Sequence, residues 1–282
     1  MNTVTPYQIP GVKVLLAGAV GSGKTHSLRT LTDAGFEVFA IFTEPGMEVV
    51  ADIPTSKLHW KYISPSTVSW EAMGDSAKKM NTLSFKSLTE LPHINRGEHS
   101  EFLDVIGSLA NFTCDRTGEN FGPVDNLTAT KKQVLWVDSL SGLNIMAMNL
   151  IAGSKPVKSP GDWGCAMDNL ERLIQKLCTD LKCHVVLTAH LERETDELTG
   201  GSTLMISTLG RKLAPKIPRF FSDVIHVKRT EKSFTWSTVT TNADLKARNV
   251  AWAENLPPSF APLLENWRKR TEQAAGIPTP GA

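Results

Sequence analysis

The residues best suited to do chemistry are gathered early in the chain. Gly18-Ala19-Val20-Gly21-Ser22-Gly23-Lys24-Thr25 fills every fixed position of the pattern G-x-x-x-x-G-K-[ST]. Glycines at its bends let backbone N–H groups turn inward around an anion. The start of the following helix adds partial positive charge, and Lys24 reaches the outer phosphates of a nucleotide. Thr25 supplies a hydroxyl suited to Mg2+. An apolar run from Val12 to Ala17 leads in and a helix-compatible segment from Thr25 to Leu31 leads out, so the strand, loop and helix context is present. The eight residues predict a phosphate-binding loop with ATP and Mg2+ as its ligands, and leave open what the nucleotide drives.

In open α/β sheets, ligands lie at the carboxyl ends of the strands, so polar residues there are the next candidates. Asp138 ends the apolar run Gln133 to Val137 and is placed to orient Mg2+ through its water shell. Ser139 follows it, so the water-activating base must come from elsewhere. Glu44 ends the run Phe36 to Thr43, directly after the phosphate-loop helix, and is the natural base for an attacking water. His190 ends the run His184 to Ala189 and could polarise a terminal phosphate through a neutral imidazole N–H.

The elements that must carry these residues follow from periodicity. Residues 36–43, 58–63, 133–138 and 184–190 read as buried parallel strands. Gly35 caps the first helix. Further helices are predicted near Trp70 to Met80, over Glu98 to Phe112, over Leu140 to Ile151, and from Asp162, taken as the cap, through Leu181. Asp115 to Pro123 reads as a surface loop, and strands near Asp223 to Lys228 and Phe234 to Thr240 close the sheet antiparallel. Residues 1–11 read as an extended lead-in. Residues 1–264 read as one ATPase domain, with 64–132 as an insertion or lateral helical layer; 265–282 hold a helix end and a disordered tail after Gly276.

Thirty basic and twenty-nine acidic residues give a net charge of +1, which excludes a polycation. Any nucleic-acid surface must be local. Thr203 to Lys232 carries seven basic residues against two acids. Four cysteines with no C-x-x-C pair, no signal peptide and no run of about 20 apolar residues point to a reducing cytoplasm without membrane contact.

The order of phosphate loop, strand ending Thr-Glu, strand ending Asp-Ser, strand ending in a polar sensor, then Lys246-Ala247-Arg248 resembles the RecA/DnaB class of P-loop ATPases. That resemblance implies an α/β RecA-like core, a mostly parallel sheet flanked by helices with antiparallel edge strands. It makes Glu44 the hydrolytic base and His190 the sensor, a position where the class usually has glutamine. It makes Lys246 and Arg248 contacts to the γ-phosphate in a neighbouring subunit, hence an oligomer, ring or filament. More closely, Val12 to about Leu264 looks like the phage-encoded AAA-type ATP-binding proteins related to core-only RecA-like single-strand annealing proteins. Arg116-Thr117-Gly118-Glu119, Val137-Asp138-Ser139-Leu140-Ser141-Gly142-Leu143 and Leu245-Lys246-Ala247-Arg248-Asn249 carry the likeness. It implies DNA-stimulated ATP hydrolysis in the host cytoplasm, in phage recombination or replication. Single-stranded DNA would bind at Arg211, Lys212, Lys216 and Arg219, with a single-strand binding protein as a further candidate partner. The alternatives are a nucleotide-switched assembly protein and a P-loop small-molecule kinase; a kinase has no use for a base at Glu44 or a trans-acting Lys-x-Arg.

Overall fold

The computed structural model describes residues 9–66, 68–92, 96–195, 201–240 and 242–276. The expected lead-in before residue 9, the Thr199-Gly200 turn and the tail after Gly276 lie outside them.

In chain order the elements are β1 (Lys13–Gly18), α1 (Arg29–Asp33), β2 (Glu37–Phe42), β3 (Leu58–Tyr62), α2 (Trp70–Asn81), α3 (Phe85–Glu90), α4 (Glu101–Ala110), β4 (Phe112–Thr113), β5 (Asn120–Gly122) and β6 (Gln133–Asp138). They continue with α5 (Leu140–Ala152), α6 (Pro160–Thr179), β7 (His184–Thr195), β8 (Ser202–Ile206), α7 (Ile217–Phe220), β9 (Asp223–Arg229), β10 (Phe234–Ser237) and α8 (Ala261–Ala274). The main sheet runs β10-β9-β1-β7-β6-β2-β3, with β8 paired to the far half of β7. All pairings among β9, β1, β7, β6, β2 and β3 are parallel, while β10 and β8 run antiparallel to their partners. This is the expected architecture, a mostly parallel sheet between helical layers with antiparallel edge strands. Of the two closing strands, only β10 is antiparallel; β9 lies parallel to β1.

Parallel strands covered on both faces need near-continuous apolar sequence, and β1, β2, β6 and β7 have it. Leu15, Ile41, Leu135 and Leu187 point to one face, where α4, α5 and α6 bury Phe102, Leu143 and Leu170. Leu16, Phe42, Trp136 and Val186 point to the other, against Leu28 just before α1, Leu31 of α1, and Leu263, Leu264 and Trp267 of α8. Each such leucine, fully buried, contributes about 1.5–3 kcal/mol.

Three local readings change. The long helix α6 is capped by Ser159, whose hydroxyl accepts from Asp162 N–H while the Asp162 carboxylate accepts from Ser159 N–H; Asp162 is the third helical residue of a capping box. The segment expected as a surface loop is an exposed turn over residues 115–119, and its end, Asn120–Gly122, pairs as β5 with β4 in a short hairpin. Its Arg116 donates to the carbonyls of Ala51, Ile53 and Leu58 and lies 4.5 Å over the Trp60 ring, a clasp on the turns flanking β3. The segment after the phosphate loop begins as a 3-10 turn, Thr25–Leu28, before α1. Among the described residues no helix is long and apolar enough to cross a membrane.

Candidate functional site

β1 delivers the loop at the carboxyl edge of the sheet. Gly18 pairs with His190 of β7 on one side and with Val227 of β9 on the other. Ala19, Val20 and Gly21 form the exposed apex. Gly23 has φ +91°, and a Cβ there would stand 2.8 Å from the Phe234 ring, so no other residue fits this bend without displacing β10. The loop closes around its own lysine: the Lys24 ammonium, buried with its residue 6% exposed, donates to Gly18 O at 3.0 Å and Ala19 O at 2.9 Å. Burial pulls its pKa below the ordinary value, and the Asp138 and Glu44 carboxylates pull the other way. The buried Ser22 hydroxyl finds no partner among the described residues. A buried cation, an unpartnered hydroxyl and inward-turning glycines fit the phosphates of a nucleotide.

β6 brings Asp138 beside this loop. Its Oδ2 accepts from Thr25 Oγ1 at 2.7 Å and its Oδ1 from Thr188 Oγ1 at 2.6 Å, with the Trp136 indole N–H at 3.4 Å from Oδ2. The floor is held by Thr43, whose backbone N–H donates to Asp138 O and whose hydroxyl both donates to Ser139 O and accepts from Ser139 N–H, each at 2.9 Å. A Cβ on Gly142 would lie 2.2 Å from the Thr43 hydroxyl, so glycine there lets α5 start against the end of β2. Thr25 and Asp138 are hard oxygen donors, the kind Mg2+ takes. Among the described residues no group of three or more His, Cys, Asp or Glu gathers to hold a metal; two protein oxygens suit an ion that keeps several waters and binds phosphate.

Glu44, His190 and Lys24 form a chain. Lys24 Nζ lies 3.3 Å from His190 Nδ1, and His190 Nε2 lies 3.5 Å from Glu44 Oε2. An ammonium can only donate, so Nδ1 is the accepting nitrogen in that contact, and the other ring nitrogen, Nε2, faces the carboxylate. The hydrogen bond from His190 is the largest influence on Glu44 and holds its pKa below the usual carboxylate range. Burial opposes it, while Ser139 and the Lys24 charge assist. Thr43, by fixing the end of β2, fixes where Glu44 begins.

The remaining predicted residues lie elsewhere. Lys246 pairs with Val224 of β9, itself beside Leu15, so it sits about 10 Å short of Gly18 along the sheet. Its ammonium donates to Phe221 O at 2.7 Å. The buried Asp223 carboxylate accepts from the backbone N–H groups of Arg248, Asn249 and Val250 and from the Asn249 amide, and so shapes this turn. Arg248 is exposed, with no acid paired to its side chain among the described residues. In the basic segment Arg211 pairs with Glu194 and Lys216 with Glu171, each at 2.9 Å, whereas Lys212 and Arg219 have no such acid among the described residues. Sequence reasoning missed Thr188, although it lies two residues before His190 and so on the same face of β7. It also missed that Arg229 reaches to 3.8 Å from a Cβ placed on Gly21, and that Phe234 braces Gly23.

A family model described as an AAA domain matches residues 10–250. No curated protein matches the sequence. Among solved structures, the RadB recombinase is 14% identical, with 83% of this chain and 84% of that one covered at a TM-score of 0.33. The assembled ATPase EscN from the enteropathogenic E. coli type III secretion system is also 14% identical, with 78% of this chain and 43% of that one covered at a TM-score of 0.35.

Proposed function

This chain belongs to the AAA domain family, and on that premise we propose that it hydrolyses ATP as a RecA-like oligomer acting on single-stranded DNA. The observation that carries the ATPase reading is the chain Lys24–His190–Glu44 beside the Thr25–Asp138 pair. The loop N–H groups and Lys24 hold the phosphates. Glu44, kept ionised, orients a water toward the terminal phosphoryl group. Its depressed pKa suits orientation and negative charge better than storage of a proton. His190 links the lysine that meets the phosphate to the carboxylate that meets the water, so a change at one is felt at the other. Mg2+, held by Thr25 and Asp138, would neutralise charge on the phosphate oxygens.

Beyond Lys24 the loop has Arg229 beside Gly21, on the β9 side away from Glu44 and His190, and the charge that develops in the transition state calls for a further cation on the Glu44 side. Arg248 is our candidate, supplied to a neighbouring subunit, because it is exposed, without an acid partner among those residues, and held in a shaped turn away from its own loop. Lys246, engaged with Phe221 O, is left a supporting role. For DNA, Lys212 and Arg219 are the better candidates in the basic segment, since Arg211 and Lys216 are already paired with acids. The finer reading, annealing or strand pairing in phage recombination or replication, rests on the sequence resemblance.

The test is steady-state ATP hydrolysis with and without a single-stranded oligonucleotide, by the wild type, Lys24→Ala, Arg248→Ala and an equal mixture of the two variants. The oligonucleotide should raise turnover and each variant should be inactive. The mixture should regain roughly a quarter of wild-type turnover, since random pairing joins an intact loop to an intact finger at that fraction of interfaces. An inactive mixture whose mixed oligomers are seen by mass measurement defeats the trans assignment. ATP binding without turnover would favour a nucleotide-switched assembly protein.

A further inference from the structure

β1 is flanked by β7 on one side and β9 on the other, and the two flanks of the phosphate loop differ in chemistry. Asp138, His190 and Glu44 all stand on the β7 side, where the terminal phosphate belongs. On the β9 side stand two rings. Phe234, the first residue of β10, packs against Gly23, and the exposed His26, next after Thr25, has its ring centroid 6.2 Å from that of Phe234 at an interplanar angle of 35°. The rings are too far apart to stack tightly on each other. They form a partly exposed aromatic surface that begins where the loop ends.

We propose that His26 and Phe234 form the stacking platform for the base of the bound nucleotide, an inference that rests on the phosphate-loop reading above. A nucleotide whose outer phosphates point toward Glu44 and His190 must leave the loop in the opposite direction, past Thr25 and onto these rings. Aromatic faces bind any base through its π-face, so the platform recognises a nucleoside triphosphate as a class, with adenine and guanine alike.

The experiment is calorimetric titration with Mg·ATP and with Mg·tripolyphosphate, which has the phosphates and no base, on the wild type, His26→Ala and Phe234→Leu. The wild type should bind ATP more tightly than tripolyphosphate. His26→Ala should weaken ATP about tenfold, the size of one lost base stack, with tripolyphosphate unchanged, and Phe234→Leu, which also removes the brace on Gly23, should weaken ATP about tenfold more than it weakens tripolyphosphate. Equal weakening of both ligands would mean that the rings only brace the loop, and unchanged ATP binding would mean that they touch nothing; either overturns the proposal. His26→Ala keeps the test decisive if Phe234→Leu disturbs folding, because His26 is exposed. A wild type that binds neither ligand refutes the phosphate loop itself, whereas one that binds both equally refutes only the platform.

Discussion

Thr188→Val exchanges a hydroxyl for a methyl of nearly the same shape at a fully buried position, and the hydroxyl it removes donates to Asp138 Oδ1 at 2.6 Å. The acceptor is a carboxylate in a residue only 6% exposed, so water cannot readily replace the lost donor. A hydrogen bond to a charged group contributes about 1.5–3 kcal/mol, and stability should fall by about that much. The consequence for function is separate. Asp138 keeps Thr25 on Oδ2 and loses the partner that fixes its second oxygen, so its orientation toward a metal loosens; partners of this kind typically cost about 10–100-fold in metal affinity or activity. Turnover is measured at fixed ATP over a series of Mg2+ concentrations, with urea unfolding in parallel and ATP binding in EDTA as a control. The half-saturating Mg2+ concentration should rise about tenfold or more, with metal-free ATP binding unchanged. Thr188→Ser, which keeps the hydroxyl, should restore the Mg2+ dependence. If Thr188→Val loses stability as stated but keeps its Mg2+ dependence, the hydroxyl serves packing alone and Asp138 is not the metal-orienting acid.

Glu44→Gln should bind ATP as the wild type does and lose turnover by about 10^2–10^4-fold, because it removes the charge and base but keeps the size; equilibrium binding and single-turnover hydrolysis check this. His184, buried on the amino side of the sheet, accepts from Val12 N–H through Nδ1, and burial foremost, then the Lys13 charge, lowers its pKa to about 3. Its folded value lies below the unfolded value of 6.5, so the unfolded chain takes up the proton first. Stability should be full above pH 6.5 and fall by about 1.4 kcal/mol per unit as the pH drops toward 3. Urea midpoints between about pH 7.5 and 5 should show the fall in the wild type and its loss in His184→Asn, and equal slopes would refute it.

The layout of the candidate site was legible where a residue type is forced by local chemistry at fixed spacing. The phosphate loop is the clearest case, and Asp138, Glu44 and His190 followed because each ends an apolar run that can only be a buried strand. What depended on direction or on partners distant in sequence was not legible. The stretch Val224 to Val227, broken by His226, reads the same in a parallel strand as in an antiparallel one, and only pairing with β1 decides it. The continuation of β7 past His190 was hidden for a related reason: Leu191-Glu192-Arg193-Glu194 looks like a polar loop until β8 pairs with it. Ser159 and Asp162 are both capping residues, and their reciprocal bonds make either look like the cap. Phe234 lies more than 200 residues from Gly23, and nothing local connects them.

The Asp223 carboxylate gives the molecule a second fixed point. Four N–H bonds tie the Lys246–Val250 turn to the start of β9, while the phosphate loop hangs from the end of β1, the strand beside it. Two strands joined by a continuous ladder resist stretching along their length, so the pair behaves as a short push rod with a loop at one tip and an exposed arginine near the other. In an assembly of the kind proposed, that rigidity would hold Arg248 at a fixed spacing from its own subunit's loop, so the cation presented to a neighbour would be placed by the sheet.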